Sequence, residues 1–232
     1  MLGKRQSQFN LRSINKTVSL QAILWDNDGV LVDTEHLYFE ATKQTLATVG
    51  HNLTRNEYVE VSLTAGKSLF ELADVDGETF ERLRDERNQL YSDLLSQGDL
   101  SIPGARETLE SLKDRVRMVI VTSSRRDHFQ IIHRSTGFLS YFESIVDNED
   151  YERSKPNPDP YLMGLERLGL SAESCIAVED SARGMQAAVN AGLRCVVVPT
   201  DLTSGGDFDD AYRVVERVGD VVGIVEELTK CC

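Results

Sequence analysis

The chain has 232 residues, with 25 Lys and Arg against 38 Asp and Glu, a formal charge of −13. At 41% hydrophobic residues it has a globular rather than a disordered composition. Its acidity argues against sequence-independent nucleic-acid binding and against an anionic membrane surface, both of which draw on Lys and Arg. No apolar run approaches the roughly 18 residues of a membrane helix, which excludes an integral helical membrane protein. The first residues hold Lys4, Arg5, Arg12 and Lys16 without an acid, and no apolar stretch of signal-peptide type. They read as a loosely ordered leader, 1–19. Cys175 and Cys195 lie in apolar segments as small hydrophobes, Cys231 and Cys232 end the chain, and no Cys/His zinc spacing occurs. The chain therefore reads as a cytoplasmic, reduced protein, with a monomer favoured.

In chain order, the first expected strand is Leu20–Trp25. From Thr34 to Leu100 no strand pattern appears, only helical periodicity over Glu35–Val49, Arg55–Leu63, Ser68–Ala73 and Glu78–Ser96. An ordinary strand-to-helix connection takes a few residues, so 34–100 reads as an all-helical subdomain inserted after the first strand. Pro103-Gly104 marks the return. Strands Val116–Val121, Ser144–Val146, Cys175–Val178 and Leu193–Val198 then alternate with helices Ala105–Lys113, Arg126–Ser135, Pro158–Leu168 and Ala182–Ala191. That alternation predicts an α/β core with a parallel sheet, made of 20–33 and 101–232.

The residues that carry chemistry fall at strand ends, where open α/β sheets bind ligands. Asp26 and Asp28 follow the first strand, spaced to point the same way, with Gly29 turning the chain outward. Taken alone this is also an ordinary acidic turn. Thr122, Ser123 and Ser124 offer hydroxyls and backbone N–H groups before a helix, and Lys155 is fixed ahead of another by Pro156. Glu179 and Asp180 follow the fourth strand. Each has a bland alternative as a helix cap or a solvated side chain. Together they cluster four carboxylates beside a lysine and a hydroxyl, and such a cluster needs raised pKa values or a cation. An oxygen-rich, sulfur-free set suits Mg²⁺, with substrate phosphate completing its coordination.

Four strings, DNDGVLVDTE (26–35), VTSS (121–124), SKPNPDPYL (154–162) and VEDSARGMQAAVNAG (178–192), resemble in order and spacing the four motifs of the haloacid dehalogenase superfamily. The resemblance runs from about Gln21 to Leu228 and is to members with a helical cap, the sugar-phosphate phosphatases and β-phosphoglucomutases. It implies a Rossmann-like core and a cap over 34–100. It also implies a small phosphorylated metabolite as substrate, with no nucleic-acid or membrane partner. Asp26 would be the nucleophile forming an aspartyl-phosphate, and Asp28 the acid and base. Thr122, Ser123 and Lys155 would hold the phosphoryl oxygens. Mg²⁺ would bind Asp26, the Asp28 backbone carbonyl and Asp180, with Glu179 directly or one step removed. Asp28 separates this chain from dehalogenases and phosphonatases, which lack that acid.

Two departures bear on the reading. The mutases keep a histidine in the helix after the first motif where this chain has Tyr38, with His36 two residues earlier, which favours a phosphatase over a phosphomutase. Asn27 replaces the apolar residue usual between the two acids, and its side chain is expected to point away from the phosphate. Lys67, in the loop Thr64–Ser68, and His36 are the expected specificity residues. Asp74–Gly77 repeats the DxDG string inside the helical region and reads as a turn with a cap. Arg82, Arg84 and Arg87 interleave with acids and read as a solvated helix face. A non-catalytic phosphate- or metal-binding protein is the remaining alternative.

Overall fold

The computed structural model describes residues 19–230. The leader before Ser19 and the Cys231–Cys232 pair lie outside them. Six strands form one parallel sheet in the order β3-β2-β1-β4-β5-β6: β1 Ala22–Trp25, β2 Arg117–Val121, β3 Ser144–Val146, β4 Cys175–Glu179, β5 Arg194–Val197 and β6 Arg213–Val214. β1 is central and buried throughout, as a strand covered on both faces must be. Its alternate residues separate the layers. Ile23 and Trp25 join one apolar cluster with helices α4 (Ala105–Leu112), α5 (Arg126–Thr136) and α8 (Val221–Lys230). Ala22 and Leu24 join another with α6 (Asp159–Leu168) and α7 (Ala182–Asn190).

The chain order reverses at β1, which pairs with β2 on one side and β4 on the other, so the switch point opens a crevice beyond their carboxyl ends. Between β1 and α4 the chain is helical. α1 (Glu35–Ala47), a short α2 (Arg55–Glu57) running into a π-helical turn Tyr58–Thr64, a 3₁₀ turn Leu69–Leu72 and α3 (Gly77–Leu95) pack around their own apolar cluster of Leu46, Leu53, Tyr58, Leu69, Phe70 and Leu83. The two strands of chain joining it to the sheet run side by side: Asp33 N–H donates to Leu100 O at 2.8 Å and Ile102 N–H to Leu31 O at 2.9 Å.

Element boundaries agree with the sequence pattern to within a few residues, with three differences. Arg55–Leu63 is not one α-helix, because the π turn takes over at Tyr58. β6 has two exposed residues, too few for an alternation, and α8 is an apolar segment interrupted by Gly223. Asp76 and Ser68 are helix caps, accepting from Thr79 N–H at 2.7 Å and Phe70 N–H at 3.3 Å. Cys175 and Cys195 are buried thiols, and burial pushes the Cys195 thiol well up. Among the described residues no helix is long and apolar enough to cross a membrane.

Candidate active site

Asp26 continues β1 by one residue, its N–H donating to Val178 O at 2.8 Å, so the strand itself delivers the carboxylate to the crevice. Lys155 enters from the loop before α6. It is buried, and its ammonium donates to Asp26 Oδ1 at 2.8 Å, Glu179 Oε1 at 2.7 Å and Val121 O at 3.1 Å. Tyr161 on α6 donates its hydroxyl to the same Glu179 oxygen at 2.5 Å. The other oxygen, Glu179 Oε2, is buried without a partner. One oxygen each of Asp26, Glu179 and Asp180 lie within 4.8 Å of one another.

Burial first, then the neighbouring Glu179 charge, push the Asp26 carboxyl up to about 8 despite Lys155. Asp180 is raised well above the ordinary carboxylate range by burial and by Asp26 and Glu179. Lys155 is raised above the ordinary lysine value: burial works against its charge, but Asp26 and Glu179 outweigh it. These groups fit a divalent metal. They are all-oxygen, short of positive charge, and one oxygen has no donor. Two glycines make room for the set. Gly29 has φ +82°, and a Cβ there would come 2.5 Å from Asp180 Oδ2. At Gly184, where Ser181 caps α7, a Cβ would come 2.0 Å from Glu179 Oε2.

Asp28 lies on the turn after Asp26, shaped by Gly29 N–H donating to Val32 O at 2.8 Å. Its Oδ1 accepts from the Thr34 hydroxyl at 2.5 Å. Its Oδ2 accepts from Ser124 at 2.7 Å, Thr122 at 3.1 Å and the Asn27 amide at 3.3 Å. Asn27 faces α5 rather than the crevice and braces the second acid. It is fully buried, its Oδ1 sits 2.8 Å from His133 Nε2, and its Nδ2 reaches the second acid.

A cavity of about 450 Å³ lies between the sheet and the helical insertion, lined by Asp26, Asp28, Ser123, Lys155, Glu179 and Asp180 and, from the insertion, Lys67. Thr122 sits beneath it, fully buried against Asp28. His36 is not brought there: it is exposed, pairs with Asp33 at 3.0 Å and lines a separate cavity with Arg55 and Leu202. Sequence reasoning missed Thr34, Ser124 and Tyr161 as partners of the acids, although all three stand inside the quoted motif strings. It also missed Arg87. Arg82 and Arg84 do lie on an exposed face paired with acids, but Arg87 turns inward, 4.4 Å from the Tyr38 ring and only 9% exposed.

The chain matches the family model of haloacid dehalogenase-like hydrolases over residues 23–198. It is 31% identical to the phosphorylated carbohydrates phosphatase of Thermotoga maritima, over 90% of this chain and 100% of that protein. A mutant of CbbY from Rhodobacter sphaeroides, solved in complex with xylulose-1,5-bisphosphate, superposes with a TM-score of 0.77 at 27% identity, covering 87% of this chain and 96% of that one. The β-phosphoglucomutase of Clostridium difficile shares the fold, with a TM-score of 0.73 at 21% identity over 90% of this chain and 97% of that one. The chain belongs to the haloacid dehalogenase-like hydrolases and is a phosphatase of that family.

Proposed function

We propose that the protein hydrolyses the phosphate monoester of a small phosphorylated carbohydrate through an aspartyl-phosphate, with Mg²⁺ as cofactor. The observation that carries this reading is the convergence of buried Asp26, Lys155 and the partnerless Glu179 oxygen at the switch point of the sheet, with Asp28 one turn away. Lys155 engages Asp26 Oδ1, and the other Asp26 oxygen attacks phosphorus as the ester P–O bond breaks. Asp28 gives its proton to the departing sugar oxygen. It then takes a proton from the water that attacks the aspartyl-phosphate, so phosphate leaves and both carboxyls are restored. Thr122, whose hydroxyl rests on Asp28 at 3.1 Å, turns to the phosphoryl oxygens with Ser123 and Lys155, where their charge and donors stabilise the transition state. Asp26, Asp180 and the Asp28 backbone carbonyl would hold Mg²⁺, with Glu179 beside them. When bound, the ion supplies the positive charge that lets an anionic nucleophile meet an anionic ester. The helical insertion acts as a cap that excludes bulk water.

The test is phosphate release from a panel of phosphorylated carbohydrates, with Mg²⁺ and with EDTA, using Asp26→Asn as the blank. Release that needs Mg²⁺ and is lost in the folded Asp26→Asn protein is the expected result. Release unaffected by either removes Asp26 and the metal from the mechanism. No release from any compound, with isomerisation of a sugar phosphate instead, establishes the mutase. Asp28→Asn should slow alkoxide leaving groups more than nitrophenolate, which departs without a proton. Equal losses on both dismiss Asp28 as the acid.

A further inference from the structure

Among the described residues four side chains donate to the Asp28 carboxylate. Three are hydroxyls, of Thr34, Thr122 and Ser124, and a hydroxyl redirects its proton by a single rotation. Thr122 is also the group that the proposed reaction draws towards the phosphoryl oxygens. The fourth donor is the Asn27 amide, whose Nδ2 lies 3.3 Å from Asp28 Oδ2. That contact is the longest of the four, and it differs from the others in being unable to turn away. Asn27 is fully buried, and its Oδ1 is held on the other side by His133 Nε2 at 2.8 Å.

The orientation of the amide is set from both ends. An ionised carboxylate only accepts, so the amide NH₂ faces Asp28 and the amide oxygen faces α5. His133 then offers Nε2–H, and it stays neutral because burial lowers its pKa to about 4. Its Nδ1 is engaged by the Thr136 hydroxyl at 2.8 Å, and the Phe129 ring lies against the imidazole with centroids 4.4 Å apart. Thr136, His133, Asn27 and Asp28 thus form one line of hydrogen bonds from α5 to the second acid. An apolar pair at 27 and 133 would fill the same space with no buried polar group to satisfy. What the polar pair adds is a fixed N–H aimed at Asp28. Without the imidazole the amide is free to turn over, and its oxygen would then face the carboxylate and repel it.

We infer that Asn27 and His133 are positioning residues for the acid of the reaction. His133 fixes the Asn27 amide, and the amide keeps the Asp28 carboxyl aimed at the leaving oxygen while the hydroxyls around it turn. This rests on the phosphatase reading, in which Asp28 protonates that oxygen. Neither residue touches the substrate. An acid delivers its rate only when held close to the productive geometry, so loss of the brace should appear as a partial loss of acid catalysis.

The test reads kcat/KM with Mg²⁺ for 4-nitrophenyl phosphate, phenyl phosphate and the sugar phosphate that the panel above shows to be fastest. Their leaving oxygens need a proton increasingly in that order. Asn27→Leu should fall about tenfold further on the sugar phosphate than on 4-nitrophenyl phosphate, with phenyl phosphate between them. That is part of the about hundredfold or more that a positioned acid contributes. His133→Phe should show the same trend, whereas His133→Gln, which keeps a donor for Asn27, should retain most of the wild-type ratio. In an Asp28→Asn background Asn27→Leu should not alter the ratio further, because it acts only through Asp28. Denaturant unfolding checks that each variant is folded, and if Asn27→Leu alone is not, the apolar pair Asn27→Leu with His133→Phe replaces it. Equal losses on all three esters, or a loss that persists in the Asp28→Asn background, would overturn the inference and make the pair a core contact. The phosphatase reading fails differently, by no phosphate release from any ester in the wild type or by equal losses in Asp28→Asn itself. A leaving-group preference in Asp28→Asn with none in Asn27→Leu overturns the positioning role alone.

Discussion

One buried histidine should cost the fold stability in acid. Asn27 Oδ1, 2.8 Å from His133 Nε2, can only accept, so the proton of the neutral imidazole sits on Nε2. Nδ1 is then the acceptor, and takes the Thr136 hydroxyl proton at 2.8 Å while the Thr136 oxygen accepts from Phe138 N–H at 3.2 Å. A second proton has no acceptor waiting, and burial lowers the His133 pKa from 6.5 to about 4. Between those values the unfolded chain binds the proton and the folded one does not. The contribution is thus whole above pH 6.5 and lost as pH falls towards 4. From the two values the loss at pH 5 is about 2 kcal/mol, rising to about 3 kcal/mol when complete. The assay is denaturant unfolding of wild type and His133→Gln at pH 7.5 and pH 5.0. The glutamine keeps a donor for Asn27 and removes the basic nitrogen. Wild type should lose about 2 kcal/mol more than the variant over that interval. Asp26, Asp180 and Glu35, all raised by burial, work in the opposite sense, and His128, lowered by burial, in the same sense. All four are common to both proteins and cancel in the comparison. Parallel pH dependences would refute the assignment of the proton.

The remaining predictions concern the groups around Asp26 and Asn27. Lys155→Met strands the Asp26 and Glu179 carboxylates in the interior and should cost about 3–5 kcal/mol by denaturant unfolding, with part regained on adding Mg²⁺; unchanged stability would show that the lysine is not their counter-charge. Gly184→Ala places a methyl group where the Glu179 carboxylate lies, and should weaken divalent-ion binding in calorimetry while costing about 1–3 kcal/mol of stability. Asn27→Leu leaves the His133 Nε2–H buried and unpaired, a loss of about 1–3 kcal/mol, and the double change with His133→Phe should cost less than the sum of the two singles.

The sheet was legible because each central strand is an unbroken apolar run ending in a polar turn, and the site because parallel strands deliver their next residues to one edge. Asp26 and Thr122 are placed by the strands before them and Glu179 ends its own, so the strand ends mark the candidate site. What escaped depends on rotation about a helix or on contacts between remote segments. Arg82, Arg84 and Arg87 form one charged run, yet only the third is buried, because Tyr38 and Phe70 from other turns of the insertion supply the rings that cover it. The Asn27–His133 contact spans 106 positions, and nothing local to either residue announces it. His36 stands two residues before the position where the mutases keep a histidine, but the outward face of α1 carries it to Asp33.

The charges of the site explain why it calls for a further cation. Asp26, Glu179 and Asp180 face one buried cation, Lys155, which already spends its N–H groups on Asp26, Glu179 and the Val121 carbonyl. The raised values of Asp26 and Asp180 express that shortage of positive charge. A divalent ion would balance the carboxylates and Lys155 together, and a phosphate dianion would then find no surplus cation on the sheet side. A second acidic group on the substrate would meet net repulsion there. The helical insertion brings Lys67 and Arg87 to the opposite wall of the cavity. The sheet thereby carries the carboxylates and Lys155, and the insertion supplies cations to the facing wall.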